Sequence, residues 1–362
     1  MKKALKVIGI VIGAIVLVAV IGVLVLTITE YKPDSVEAVD VVEGSSDSTI
    51  SEGDTLTVMT WNIGYGALGE KADFFMDGGT HVSTATKSEV YDNLTGIESE
   101  IEKVSPDVLF LQETDTSSKR SHYVDEREEI TESFPEYYNS FALNYKVLYI
   151  PYPFPTMGKV SCGVTTLSRF SIAESERDAL PCPFTYPTRI CNLKRCLLVS
   201  RIPLEGSDKE IVLINLHLEA YDSGEGKIAQ TKQLKTLIEE EAAKGNYVIA
   251  GGDFNQTFSN VDTTDYPQIS EDMWIPGLVD VTEFDDSLQF IMDSDAPSCR
   301  SLDKAYAGAD KDSFQFYIID GFILSGNITV NDYYTDNLEF VNSDHNPLIL
   351  NITLNGSVLT DS

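Results

Sequence analysis

The sequence predicts a mixed α/β or α+β body carried on a membrane by one N-terminal helix. Three observations lead there. Residues 7–28 are an uncharged apolar run behind Lys2, Lys3 and Lys6. From Thr55 onward, apolar strand-like segments alternate with a few amphipathic helices. No charged or Ser-rich linker interrupts that part, so residues 55–362 are expected to be one domain rather than two.

The apolar run has 22 residues, and at about 1.5 Å per residue it makes roughly 33 Å of helix, enough to cross a bilayer. Residues 1–6 then form a basic cytoplasmic tail, which sends the rest of the chain across the membrane. A cleaved signal peptide has a shorter apolar region, and no small-x-small cleavage site follows Ile28. The absence of a cysteine after the span also argues against a lipoprotein, so an uncleaved signal anchor is expected. Residues 29–54 carry eight acids against one lysine and include Gly44-Ser45-Ser46. Such a segment has little to bury and reads as a flexible acidic linker with a reach of about 28 Å.

The body opens with TLTVMTWN, an alternating strand that ends on Asn62, followed by a loop with Gly64, Gly66 and Gly69. Val90, Leu94, Ile97, Ile101 and Val104 mark one face of a helix stopped by Pro106. DVLFLQE is the next strand and ends on Glu113. Residues 114–187 are harder to read, with Pro and aromatic clusters, a charged helical piece at 126–133 and a strand at 162–168. Order returns with RCLLVSRIPL and IVLINLHLEA, which place His217 near a strand end. Ile228, Leu234, Leu237, Ile238 and Ala242 give a second amphipathic helix closed by Gly245. VIAGGDFNQTF follows, a buried strand that ends on Asp253 and Asn255; the shared face of i and i+2 residues points both the same way. QFYIIDGFILS holds Asp320 in mid-strand, and SDHNPLILNIT places Asp344 and His345 before the last strand. The chain shows no internal repeat.

The formal net charge of −31 argues against electrostatic attraction to nucleic acid or to an anionic membrane face. Five cysteines without a CxxC pair exclude a zinc finger. Cys182, Cys191 and Cys196 lie close enough in sequence for one disulfide outside the cell.

Taken singly, Asn62 reads as a turn former, Glu113 as a solvated strand end and His217 as a core imidazole. GDFN by itself reads as an Asx turn. Their joint occurrence at strand ends, with Asp253, Asn255, Asp320, Asp344 and His345, points to chemistry. Carboxylates and carboxamides are hard oxygen ligands, and histidine moves protons near neutral pH.

WNIG, LQET, NLHLEA, GGDFN, IIDGFILS and SDHNPL, in that order, resemble the signature blocks of the endonuclease/exonuclease/phosphatase (DNase I-like) superfamily. The resemblance implies a four-layer sandwich, two mixed β-sheets flanked by helices, with a phosphoester site at one end. It implies Asn62, Glu113 and Asp344 near a divalent metal, Mg²⁺ or else Mn²⁺ or Ca²⁺. It further implies that Asp253 and Asn255 flank the phosphate, that His217 and His345 contact its oxygens or move a proton, and that Asp320 orients His345. Either Asp253 or His345 would be the base. The family's phosphate-touching tyrosine has three candidates here, Tyr145, Tyr149 and Tyr152. The Trp-Cys-Asp-Arg run of inositol phosphatases is absent before Ile323, which argues against that subgroup. Lys119 and Arg120 follow Glu113 closely and could give the site local positive charge, but they read first as a solvated surface pair.

The expectation is a monomeric, membrane-anchored phosphodiesterase or phosphatase with its catalytic domain outside the cytoplasm. A small or lipid-headgroup phosphoester suits the acidity better than a polynucleotide. The alternatives are an extracellular nuclease of the same superfamily, separable by its substrate, and a non-catalytic surface binding module. The binding module is disfavoured because every block keeps its acid, amide or imidazole.

Overall fold

The computed structural model describes residues 2–222 and 224–356, so the last six residues of the expected domain lie outside it. The N-terminal helix covers Lys2–Ile28 with no buried side chain, and its best window has a mean hydropathy of 3.2. It is long and apolar enough to cross a membrane.

Two seven-stranded sheets stack face to face. The first runs, edge to edge, Val36–Val39, Glu174–Ala179, Cys196–Pro203, Glu210–His217, Tyr247–Asp253, Asp320–Leu324 and Gln289–Ile291. The second runs Ile328–Thr335, Leu348–Leu354, Thr55–Asn62, Val108–Asp115, Gly158–Ser168, Tyr138–Ile150 and Val41–Val42. Each sheet contains one parallel pair among antiparallel neighbours: Thr55–Asn62 with Val108–Asp115, and Glu210–His217 with Tyr247–Asp253. A parallel pair needs a crossover, and here both crossovers are helices, Lys87–Val104 and Glu225–Ala243. Each helix lies on the outer face of its own sheet, which gives the four layers.

Strand alternation sorts the side chains. Val90, Leu94, Ile97 and Ile101 of the first helix pack on Met59, Trp61, Leu109 and Leu111. Leu234 and Ile238 of the second pack on Val212, Ile214, Val248 and Ala250. Every other residue of the same strands, including Leu56, Val58, Val108, Phe110, Leu213 and Ile249, fills the space between the sheets. A capping box at Thr86 and Glu89 starts the first helix, and Ser105 ends it in a left-handed conformation ahead of Pro106. Gly245 at φ 83° turns the chain after the second helix.

Several expectations change. Residues 29–54 are not a free linker: Val36–Val39 pairs with Glu174–Ala179 in the first sheet, and Val41–Val42 pairs with Tyr138–Ile150 in the second. Only Val39 and Val41 among these valines are partly covered, so both strands are held at the sheet edges mainly by backbone pairing. The strand through LQE continues past Glu113 to Asp115. QFYIIDGFILS breaks into Phe316–Tyr317 and Asp320–Leu324, so Asp320 begins a strand instead of lying in its middle. Ile228 is 70% exposed and belongs to the solvent side of its helix. All five cysteines are free thiols, and no disulfide joins Cys182, Cys191 or Cys196.

Candidate active site

The inward-facing residues of four neighbouring strands change character along their length. Toward one end they are apolar; at the other they become polar. The first polar layer joins the two sheets: Gln112 Nε2 donates to Thr60 Oγ1 at 3.1 Å and to Asn215 Oδ1 at 2.9 Å. Asn215 Nδ2 donates in turn to the backbone carbonyl of Thr165 at 2.8 Å. These buried groups satisfy one another, which a dry core requires. Two residues further along each strand come Asn62, His217 and Asp253.

Register sets the next layer side by side. Asp253 is the cross-strand partner of His217 on one side and of Asp320 on the other. Gly251 and Gly252 permit this close approach. A Cβ on Gly251 would lie 2.4 Å from the Phe322 ring, and one on Gly252, at φ 146°, would lie 2.0 Å from the Leu216 carbonyl oxygen. Glu113 reaches the site by a different route. Alternation alone would turn it away from Gln112's side, but a bulge between Leu111 and Thr114 and a φ of 56° re-aim it. Asn255 also lies outside the strand, at φ 51°. Its backbone N–H donates to Asp253 Oδ1 at 2.9 Å and its Nδ2 to the Leu218 carbonyl at 2.9 Å. The Asx turn and the site residue are therefore the same structure, and the shared-face argument for Asp253 and Asn255 does not apply.

All eight sequence-singled residues are brought together. Asn62 Nδ2 lies 3.0 Å from Asp253 Oδ2, 3.3 Å from Glu113 Oε1 and 3.5 Å from His345 Nε2. Its Oδ1 accepts from the Gly64 N–H at 3.1 Å. The amide thus turns its nitrogen, not its oxygen, to the carboxylates. Asp253 Oδ2 is 3.4 Å from His217 Nε2 and 3.8 Å from His345 Nε2. His345 Nδ1 meets Asp320 Oδ2 at 2.8 Å. Glu113, His217, Asp253, Asn255, Asp344 and His345 line a cavity of about 350 Å³, with Asn62 and Asp320 behind its wall.

Burial sets the charges. It raises the Asp253 carboxyl to about 7, with His345 pulling the other way and Asp320 adding to the rise. Burial likewise lowers His217 well below the usual imidazole value, helped by the Arg195 cation. His345 is the opposite case. Burial disfavours its charge, but the Asp320 carboxylate and its hydrogen bond hold it well above the ordinary value. Burial and the Asp320 carboxylate thus push the two imidazoles in opposite directions.

The metal expectation rests on Asp344 and Glu113. Burial raises Asp344 to about 6, and the Glu113 charge adds to this against the pull of His345. Asp344 forms no ion pair among the described residues. Gly64 keeps space beside it, since a Cβ there would stand 2.8 Å from Asp344 Oδ1. Two mutually repelling carboxylates around such a space fit a hard divalent cation. Two further groups, Cys299 with Asp344 and His345, and Asp253 with Asp320 and His345, also have candidate ligand atoms within 4.8 Å of one another. In the second group, Asp320 is already engaged by His345.

Sequence reasoning missed part of the wall. Arg120 is buried rather than a surface residue; only Lys119 is exposed. Its guanidinium binds Asp115 at 2.9 and 3.1 Å, lies 3.7 Å above the Tyr65 ring and comes within 4.0 Å of Glu113. The signal was present in the spacing of Asp115 and Arg120, but the turn that brings them together was not legible. Of the three tyrosine candidates, Tyr145 lines the cavity, with its hydroxyl donating to the Cys191 carbonyl at 3.0 Å. Tyr149 and Tyr152 are exposed elsewhere. Arg195 and Arg300 complete the cationic part of the lining.

Comparison with known proteins agrees with this architecture. No curated protein sequence matches the chain. An endonuclease/exonuclease/phosphatase from Beutenbergia cavernae DSM 12333 is similar over 83% of this chain and 72% of its own, at 18% identity and a TM-score of 0.54. ANGEL2, a 2',3'-cyclic phosphatase, is similar over 88% of this chain and 98% of its own, at 16% identity and a TM-score of 0.54. An endonuclease/exonuclease/phosphatase from Bacteroides vulgatus is similar over 83% and 99%, at 14% identity and a TM-score of 0.50. At these identities the likeness is one of fold. The sequence profile of the Endonuclease/Exonuclease/phosphatase family matches residues 59–345, most of the body and all of the blocks that build the site, and the chain belongs to that family.

Proposed function

We propose that this protein is a metal-dependent phosphoester hydrolase whose body stands on the outer side of a membrane. The observation that carries the reading is the meeting of both sheets at Asp253. That carboxylate lies between two imidazoles, 3.4 Å from His217 and 3.8 Å from His345, and beside the buried carboxylate Asp344, whose charge Glu113 repels. Members of the family hydrolyse phosphoesters, and many use divalent metals.

Glu113 and Asp344 would hold the ion, with Asn62 fixing Glu113. A bound divalent ion supplies charge to offset that building on the phosphate. The chain's own residues supply the rest. Asp253 takes a proton from the attacking water as the new P–O bond forms. The His345 imidazolium, held by Asp320, gives its proton to the departing alcohol oxygen as the ester P–O bond breaks. The proton then passes from Asp253 to His345 across their 3.8 Å separation, and both groups are reset. Asn255 and neutral His217 hold the remaining phosphate oxygens.

A half-enclosed cavity of about 350 Å³ in a chain of net charge −31 suits a small or lipid-headgroup phosphoester better than a polynucleotide. The test uses the full chain in detergent with bis-p-nitrophenyl phosphate, with and without Mg²⁺, Mn²⁺ or Ca²⁺. Turnover that requires an ion and disappears in D253A and H345A is the expected result. No turnover with any ion, or turnover that survives both changes, overturns the assignment in favour of a binding module. Sphingomyelin, plasmid DNA and inositol phosphates assayed side by side then separate the substrate classes.

A further inference from the structure

The end of the N-terminal helix is built into the body. Leu26 packs against the cluster formed by Tyr145, Val147, Ile150 and Met157, as does Phe75. Thr27 Oγ1 lies 3.4 Å from the Tyr186 hydroxyl. The Glu30 side chain, 2% exposed, meets Arg189 at 3.0 Å and Lys194 at 3.6 Å. Tyr31 stands 5.8 Å from each of two cations, Lys146 and Arg177. A bilayer-crossing helix that ends in these contacts brings this face of the body to the bilayer surface.

The same face is unlike the rest of the molecule in two respects. Leu148, Tyr149, Tyr152, Phe154 and Tyr186 are exposed, Phe154 to 92%. Tyr152 is tied to the helix junction through an edge contact with Phe75 at 5.6 Å. Aromatic side chains in such a group lose free energy in water and gain it at headgroup depth. The second respect is charge. Residues 137–173 and 179–204 contain no Asp or Glu, although the chain has 57 acids; between them Glu174, Glu176 and Asp178 sit on one strand. The acid-free segments carry Lys146, Lys159, Arg189 and Lys194. These segments therefore add no negative charge near the helix junction, where the nearest acid in the chain, Glu30, is held by Arg189 and Lys194.

We propose that residues 148–154 and Tyr186 form an apron lying in the interfacial layer of the bilayer that the helix crosses, with the catalytic cavity opening beside it. Tyr145, Met157, Phe184 and Leu193, from the same segments, line that cavity. The phosphoester is then one presented at headgroup level in the same membrane. This last step rests on the hydrolase reading, whereas the seating of the apron does not.

The test uses the full chain in nanodiscs of phosphatidylcholine and phosphatidylglycerol with plain or brominated acyl chains. F154W fluorescence should be quenched by the brominated lipid relative to wild type, and Y334W, on an exposed strand of the opposite sheet edge, should not be. Equal quenching at both positions, or none at 154, overturns the seating. Shielding at 154 that follows protein density instead of bromination assigns the face to a second copy and also overturns it. Turnover provides the second readout. Y152S/F154S should keep its rate on bis-p-nitrophenyl phosphate and lose about fivefold or more on a vesicle-borne phosphoester. An equal loss on both substrates, or none on vesicles, overturns the link between apron and substrate. Quenching at 154 in a protein without hydrolase activity leaves the seating intact and rejects the hydrolase reading instead.

Discussion

The polar end of the two sheets lines the cavity, the apron at the foot of the N-terminal helix does not, and the two are made differently. At the sheet ends, each side chain is placed by a strand whose neighbours fix its register, and nearly every polar atom has a protein partner. On the apron, side chains project from the end of the strand Tyr138–Ile150 and from the loops beyond it, and are largely exposed. The first arrangement holds groups to the tolerance that bond making requires. The second can adapt to a fluid surface, and its free energy depends on area and charge more than on geometry.

Substitutions can break that contrast, and the largest effect is expected at the strand ends. H345A should lower kcat/KM by about 10³-fold or more, and should also lower Tm, since it leaves the buried Asp320 carboxylate without its partner. D320N should cost about 10²-fold and lower the apparent pKa of the imidazole in the pH profile, because it removes the charge that holds His345 protonated. A D320N enzyme with an unchanged pH profile would show that Asp320 is only a packing group.

One layer below, the effect should pass from chemistry to stability. N215A leaves Gln112 and the Thr165 carbonyl without their partner and should cost about 1–3 kcal/mol in denaturant unfolding. G252A should cost a similar 1–3 kcal/mol or prevent folding, because its Cβ meets the Leu216 backbone. Neither loss is expected for the apron variant Y152S/F154S.

The smallest effect is expected far from the cavity, where Arg201 and Glu241 pair at 2.7 Å. Burial alone would raise Glu241, but hydrogen bonds from Arg201, Lys244 and Asn246 bring it down to about 2. A carboxyl lowered in the fold stabilises fully above its unfolded value near 4.5, and that contribution is lost as pH falls toward 2. E241Q should therefore be less stable than wild type by about 1–2 kcal/mol at pH 7, with the difference shrinking between pH 4.5 and 2. Urea melts across that range measure it.

The family blocks were legible because they combine a strand period with a polar end, and period 2 is written in consecutive residues. Asn62, Glu113, His217, Asp253 and the Asp344-His345 pair were found in that way. What was not legible depends on pairs distant in sequence. Arg120 looks like a surface cation until the turn after Asp115 brings it over Tyr65. Residues 29–54 look like a tether until two valine-bearing stretches find unpaired sheet edges. The apron was hidden for the same reason, since its aromatic residues come to the helix junction from segments more than 30 residues apart, Tyr152 through Phe75 and Tyr186 at Thr27.

By itself, then, the sequence determined the helix that can cross a bilayer, the two crossover units and the residues that meet at the sheet ends, because each is a local pattern of polarity. Only the tertiary structure decided how those residues face one another: that burial lowers one imidazole while Asp320 raises the other, that Asn62 turns its nitrogen to the carboxylates, and that the end of the N-terminal helix packs against residues of the cavity wall. Those outcomes follow from burial and from distances between strands, and neither exists until the two sheets have closed on each other.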